Sequence, residues 1–276
     1  MSVSLQTSHR STLRVRDGTP IAFAVANNKG DRRVALVHSL AMDGEFWRPA
    51  VEHLSDRTSV LLIDCRGHGS SGKPAGPYAL EQFADDLSDV MDGIGWPSAV
   101  VMGASMGGSV ALAFAMQHAS RTDGLGLVDT TAWYGPEAPK QWEERAQRAL
   151  SQGLASMVDF QKTRWFGDKF RAENPQVVKD SVDLFLRNDI AAYAQTCRML
   201  GACDLRAGLS SITVPTAIVV GEEDYATPPA MAQAMHDAIA GSTLKVLPGV
   251  RHLTPLERPD EIAAMIEELR GRKRSG

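Results

Sequence analysis

The stretch Ala99-Val100-Val101-Met102-Gly103-Ala104-Ser105-Met106-Gly107-Gly108-Ser109 runs from apolar residues into small ones and continues as Ala111-Leu112-Ala113-Phe114-Ala115. That order spells a strand, a sharp turn and a helix. A serine at the tip of such a turn is forced into a strained backbone conformation, and only small residues two positions either side let strand and helix pass closely. Gly103 and Gly107 meet that demand. The turn exposes the Ser105 hydroxyl and aims the Met106 amide and the helix N-terminus at whatever binds there, an arrangement suited to attack on a carbonyl.

A serine hydroxyl is a weak nucleophile at neutral pH, so it needs a histidine to take its proton and a carboxylate to orient that histidine. Both types occur downstream, each just past a strand. Residues 217–221 form a β-branched run leading into Glu222-Glu223-Asp224-Tyr225-Ala226-Thr227-Pro228-Pro229, a turn-rich loop carrying Asp224. Residues 244–248 form another strand, and its exit, Gly249-Val250-Arg251-His252-Leu253, carries His252. In open parallel sheets, ligands gather outside the carboxyl ends of strands, where all three residues fall. Glu222 and Glu223 read as a solvated acidic turn. Asp129, which ends the strand at 124–128, is a second candidate acid, with Asp224 preferred on loop composition. His9, His53, His118 and His236 lie in a leader segment or polar helix-like stretches and read as surface histidines.

Acyl transfer also needs a second amide beside that of Met106 for the developing oxyanion. The strand at 33–37 runs into His38-Ser39-Leu40-Ala41-Met42-Asp43-Gly44, where the Leu40 amide is expected to point inward and the His38 ring to brace the loop.

With 276 residues, 43% of them apolar, the chain can form one sizeable core. A net charge of −4 gives no nucleic-acid signature. No apolar segment reaches bilayer length and the first thirty residues lack a signal-peptide pattern, so no membrane role and a cytoplasmic location are expected. Cys65, Cys197 and Cys203 have neither disulfide-framework nor zinc spacing, and no metal or other cofactor is called for. A homo-oligomer is compatible with the sequence, which sets no number of copies. The basic end Arg270-Gly271-Arg272-Lys273-Arg274 reads as a solvated tail.

The N-terminal part reads as a hairpin, 11–16 and 21–26 around Asp17-Gly18, followed by alternating strands and helices. The strand at 59–64 ends in the glycine-rich Cys65-Arg66-Gly67-His68-Gly69-Ser70-Ser71-Gly72, a tight loop without P-loop or dinucleotide spacing. Residues 80–91 have helical spacing, with Asp85, Asp86 and Asp89 expected on the wet side. These alternations predict an α/β fold with a mostly parallel central sheet and helices on both faces. From 132 to 208 the strand-like runs vanish and helices are expected at 137–152, 154–163, 175–187 and 190–200. The core is thus 1–131 plus 209–276, with 132–208 an all-helical cap over Ser105 that excludes water and shapes the pocket.

On His38-Ser39-Leu40, Asp64 through Ser71, Gly103 through Gly108, Gly221 through Asp224, and His252, the chain resembles the α/β-hydrolase superfamily over nearly its whole length. Within it the chain is most similar to the 3-oxoadipate enol-lactonases, on Ser39-Leu40, Trp47, Asp129-Thr130-Thr131-Ala132, Arg164-Trp165-Phe166 and the stretch from Asp204 through Pro229. Their oxyanion loop usually opens Asn-Ser-Leu-Gly, whereas here it is His38-Ser39-Leu40-Ala41. The resemblance implies a helical cap, a Ser105–His252–Asp224 triad, and a small ester or lactone as substrate. Activity should fall as acid protonates His252. An enol-lactone of this kind carries a free carboxylate, which implies a cation in the pocket: Arg164 and Arg198 are the candidates, with Trp133 and Trp165 as apolar walls. The cap holds eleven Lys and Arg against ten Asp and Glu, a balance that does not discriminate. The competing functions are a carboxylesterase, an acyl-lactone or carbon–carbon bond hydrolase, a cofactor-free haloperoxidase, and a non-catalytic ligand-binding member of the same fold.

Overall fold

The computed structural model describes residues 10–27, 30, 32–55 and 57–271. His9 and Arg272 to Arg274 lie outside them. Among the described residues eight strands form one sheet: β1 (Ser11–Arg14), β2 (Pro20–Ala26), β3 (Arg32–Val37), β4 (Thr58–Ile63), β5 (Ala99–Ala104), β6 (Thr122–Val128), β7 (Thr216–Gly221) and β8 (Thr243–Leu247). Their spatial order is β1-β2-β4-β3-β5-β6-β7-β8. The first two pairings are antiparallel and the rest parallel. The hairpin turns at Gly18, whose φ of 85° suits glycine, so β1 stops at Arg14 and not at residue 16. β4, β5 and β7 are buried at every position, which requires cover on both faces of the sheet and explains why they read as unbroken apolar runs. The outer strands β1 and β8 are largely exposed.

The helices are α1 (Arg48–Val51), α2 (Leu80–Gly93), α3 (Met106–Gln117), α4 (Ala138–Gln152), α5 (Val158–Trp165), α6 (Asp168–Glu173), α7 (Pro175–Leu186), α8 (Ile190–Gly201), α9 (Pro229–Ala238), α10 (Thr254–Glu257) and α11 (Pro259–Gly271). α3 packs on β5 and β6, and α2 packs on α3. Among the described residues no helix is long and apolar enough to cross a membrane.

Five helices, α4 to α8, fill the chain between β6 and the 3-10 turn Arg206–Ser211 that precedes β7. α4 and α8 lie along each other, and a Cβ on Gly201 would stand 3.1 Å from Cβ of Trp142. The expected helix at 154–163 divides into a 3-10 turn, Leu154–Met157, and α5. α6 was not foreseen, because six residues are too few to show a period; Phe170 holds it by stacking on Phe166 at 5.3 Å.

Two expectations about charge are corrected. Asp86 does not face water: it is 2% exposed and receives both Nε (2.7 Å) and Nη2 (2.6 Å) of Arg66 from the glycine-rich turn. Burial, only partly offset by Arg66, raises the Asp86 carboxyl to about 6. Arg270 is likewise not part of a solvated tail. Its side chain is 3% exposed and its guanidinium donates to Thr58 and Glu267.

Candidate active site

At the end of β5 the chain enters Ser105 with φ 52° and ψ −118°, and α3 begins at Met106. Ser105 N–H donates to Val128 O at 2.9 Å and its carbonyl accepts from Thr130 Oγ1 at 2.7 Å, so the end of β6 and the residues just past it hold the strained serine. The two glycines are required by backbone, not by side chains. A Cβ on Gly103 would stand 1.9 Å from Gly107 O, and one on Gly107 would stand 2.1 Å from Val37 O.

The loops after β7 and β8 bring Asp224 and His252 to this turn. Ser105 Oγ donates to His252 Nε2 at 2.9 Å, and His252 Nδ1 donates to Asp224 Oδ2 at 2.8 Å. All three are buried. Asp224 also accepts from Ala226 N (2.7 Å), Thr227 N (3.0 Å) and Thr227 Oγ1 (2.9 Å). Burial works against its charge, yet His252 and the Thr227 donors hold the carboxyl below its usual range. Such a chain can draw the proton from Ser105 and hold the resulting imidazolium.

Asp129 does not reach His252. Fully buried at φ 45°, it accepts from Gly221 N (3.1 Å), Thr254 N (2.9 Å) and Thr254 Oγ1 (2.9 Å), tying the end of β6 to the exits of β7 and β8. Burial and the nearby charge of Asp224 push its carboxyl well up. Its place is in holding the loops, not in orienting the imidazole.

On the other side of Ser105, Leu40 sits in a turn closed by Met42 N donating to Ser39 O at 3.1 Å, with Ala41 at φ 65°. Met106 is the first residue of α3, so its N–H has no acceptor within the helix. His38 is fully buried; its Nδ1 donates to Ser39 O at 2.8 Å and its Nε2 accepts from Cys65 N at 3.0 Å, which fixes the neutral tautomer and braces the loop. His68 packs against it at 5.1 Å and donates Nδ1–H to Arg66 O. Burial, then His38 and Lys73, lower His68 to about 3. The unfolded chain therefore takes up this proton below pH 6.5 while the folded one does not, and stability is lost as pH falls. Between pH 6.5 and 5, the stability advantage of wild type over His68→Asn should shrink by about 1.7 kcal/mol in all, read by urea denaturation. A constant difference would contradict it.

The helical insert is fastened to these loops. Trp165 O accepts from His252 N (3.1 Å) and Leu253 N (3.0 Å). Arg251, beside His252, donates to Thr163 O, Phe166 O and Asp168 Oδ1, and also to Glu223 Oε2 beside Asp224. Asn188 Nδ2 donates to Ala41 O at 2.9 Å, next to Leu40.

Of the four residues expected to line the pocket, Trp165 lies deepest, 3% exposed, with its ring edge-on to Phe185 at 5.5 Å. Arg164, partly buried, stacks on Phe160 at 5.8 Å. Trp133 lies at the base of the insert, bridged to Asp204 and covered by the Arg206 guanidinium at 3.7 Å. Arg198 is corrected: it is bound through two hydrogen bonds, 2.7 and 3.0 Å, to Glu143 at the surface and is not available as a pocket cation. Sequence reasoning missed the packing of Arg145 against Trp142 and Tyr193, whose signal was its place beside Trp142, Ala146 and Ala149 on the apolar side of α4. It also missed the Arg251 clasp, which nothing local announces.

A family model described as the alpha/beta hydrolase family matches residues 34–265, from β3 into α11. The chain belongs to that family. A curated relative of this hydrolase, 3-oxoadipate enol-lactonase 2 of Acinetobacter baylyi, is 31% identical over 260 residues, 94% of this chain and 95% of the relative. The crystal structure of the enol-lactonase from Burkholderia xenovorans LB400 superposes with a TM-score of 0.89 at 32% identity, covering 94% of the hydrolase and 99% of that chain. A thermophilic esterase from Thermogutta terrifontis, solved with malate bound, superposes at 0.87 with 28% identity over 95% and 97% of the two chains.

Proposed function

We propose that this chain opens a small enol-lactone of the 3-oxoadipate type, with Ser105 as nucleophile, His252 as general base, Asp224 as its orienting acid and the helical insert as a cap over them. The coarser statement, a hydrolase of ester bonds, rests on the family and on relatives named as enol-lactonases. The observation that supports the roles of Ser105, His252 and Asp224 is the unbroken chain of hydrogen bonds from Ser105 Oγ through His252 to Asp224, and the enol-lactone rests on the relatives of that name.

His252 Nε2 takes the Ser105 proton as Oγ attacks the lactone carbonyl, and the amides of Leu40 and Met106 receive the oxyanion. Collapse breaks the ring carbon–oxygen bond and releases an enolate, which gains a proton and becomes a ketone. An enolate leaves far more easily than an alkoxide, so acylation asks little of a general acid. Water, deprotonated by His252, then attacks the acyl carbon and returns Ser105.

The test is a rate panel of enol-lactones, saturated lactones and short-chain aryl esters, together with a fluorophosphonate probe. The expected result is labelling of Ser105 and the highest kcat/KM for enol-lactones. Preference for simple esters would replace the lactone reading by a carboxylesterase, in line with the esterase likeness. Folded protein that resists the probe would overturn the nucleophile.

A further inference from the structure

The loops of Asp224 and His252 are joined to each other before either meets Ser105. Glu223 N donates to Val250 O at 2.9 Å, and a Cβ on Gly221 would stand 2.2 Å from Arg251 O and 2.4 Å from Val250 O. Main chain lies against main chain there, so the orienting acid and the base ride on one body. Ser105 rides on another, the strand-to-helix turn after β5. Whatever fixes the spacing of the two bodies decides whether His252 Nε2 stays within reach of Ser105 Oγ.

Three consecutive residues at the end of β6 touch both bodies. On the nucleophile side, Val128 O accepts from Ser105 N at 2.9 Å and Thr130 Oγ1 donates to Ser105 O at 2.7 Å. Asp129 lies between them and serves the other side. The ladder of β6 with β7 has its last registered pair at Val128 and Val219, and Asp129 N donates to Val219 O at 2.9 Å. There the chain turns off the sheet, with Asp129 at φ 45°, and the side chain takes over from the main chain. Asp129 Oδ1 accepts from Gly221 N at 3.1 Å, three residues before Asp224. The same oxygen accepts from Thr254 Oγ1 and Oδ2 accepts from Thr254 N, both at 2.9 Å, two residues past His252. Asp129, Thr130 and Thr254 are each 1% exposed or less, so water does not compete for these bonds. A buried carboxylate on left-handed backbone is costly to hold. Cohesion of the two loops is already supplied by the Glu223 to Val250 bond.

We infer that Asp129 is a positioning residue for the reaction: its carboxylate sets the spacing between Ser105 and the His252–Asp224 pair, and Thr130 holds the Ser105 end of the same gauge. The inference rests on that triad being the reaction centre. Asp129 touches no substrate and moves no proton. It keeps Nε2 within reach of Oγ during acylation, and of the attacking water during deacylation, and leaves substrate binding alone.

The experiment measures kcat and KM on the best substrate of the rate panel for wild type, Asp129→Asn, Thr254→Val and Thr254→Ser. Each kcat is divided by the fraction of enzyme that the fluorophosphonate labels at completion, which removes any loss of folded protein. An amide at 129 keeps the shape but turns its own N–H toward a main-chain N–H, so the gauge opens. Normalised kcat should fall about a hundredfold in Asp129→Asn and about tenfold in Thr254→Val, with KM within about twofold of wild type. Thr254→Val keeps the carboxylate and gives the answer if Asp129→Asn does not fold. Thr254→Ser keeps the hydroxyl and should recover most of the rate. The low-field proton resonance of His252 Nδ1–H, bonded to Asp224, should move in Asp129→Asn, which a smaller folded fraction does not produce. Normalised kcat equal to wild type in Asp129→Asn overturns the positioning role, as does a loss in Thr254→Val that Thr254→Ser repeats in full or that KM alone carries. Ser105→Ala that stays active brings down the triad itself. Ser105→Ala that is inert, beside a fully active Asp129→Asn, removes the positioning role and spares the triad.

Discussion

Ser105→Ala is expected to lower kcat by about five to six orders of magnitude, and Asp224→Asn by about four, in pre-steady-state assays on the best substrate of the panel. The difference follows from what each atom does. Without Oγ no acyl-enzyme forms, and only binding and the oxyanion amides remain to favour hydrolysis. In Asp224→Asn the nucleophile survives, but the Nδ1 side of His252 faces an amide that can present N–H where a carboxylate accepted one, so the imidazole is held in the wrong tautomer or loses its orientation. The same pair separates the two acids. Asp129 spends its oxygens on Gly221 and Thr254, so an assignment of Asp129 as the orienting acid would require Asp224→Asn to be nearly silent. Ser105→Ala should also abolish fluorophosphonate labelling while leaving the thermal transition in place, because the substitution keeps the backbone and removes only the hydroxyl.

Gly107→Ala is expected to destabilise the fold by about 3 kcal/mol or more, lowering Tm by about 10 °C in a calorimetric scan. The added methyl would meet the carbonyls of Val37 and His38 at 2.1 and 2.6 Å, and main-chain oxygens cannot swing aside like a side chain. Relief requires α3 to move off β3, which would also shift Ser105 and the Leu40 turn. Gly18→Ala is the matched control. Its φ is 85° but nothing stands within 4 Å, so it should cost only about 1 kcal/mol of backbone strain. Equal losses at the two sites would mean that conformation, not crowding, governs Gly107.

What the sequence made legible was local punctuation. The glycines flanking Ser105, the β-branched run before Glu222 and the exit of the strand at 244–248 each announce a strand end, and sheet topology carries those ends to one side. Asp224, His252 and Ser105 could therefore be chosen before their distances were known. Pairing between distant charges could not. Asp86 turns inward for Arg66, Arg198 is taken by Glu143, and Arg145 donates to Tyr193; each outcome depends on which helix faces which. Periodicity reports a wet face but not the partner that converts it to a buried one. The helical insert shows the same limit, since its long helices were foreseen and six-residue α6 was not.

The clasp between residues 163–168 and the loops of His252 and Asp224 bears on how such an enzyme can diversify. Because Trp165 O carries the amides of both His252 and Leu253, and Arg251 spans from Thr163 to Glu223, the helical insert is not a cassette that can be exchanged on a finished base. A grafted insert would have to bring a carbonyl to the same point and an acceptor for Arg251. α4, α7 and α8 take no part in that clasp and have more freedom to vary. The short stretch ahead of Gly167 is then the part of the insert that fixes the backbone of His252, and a change there is felt at that residue before any other.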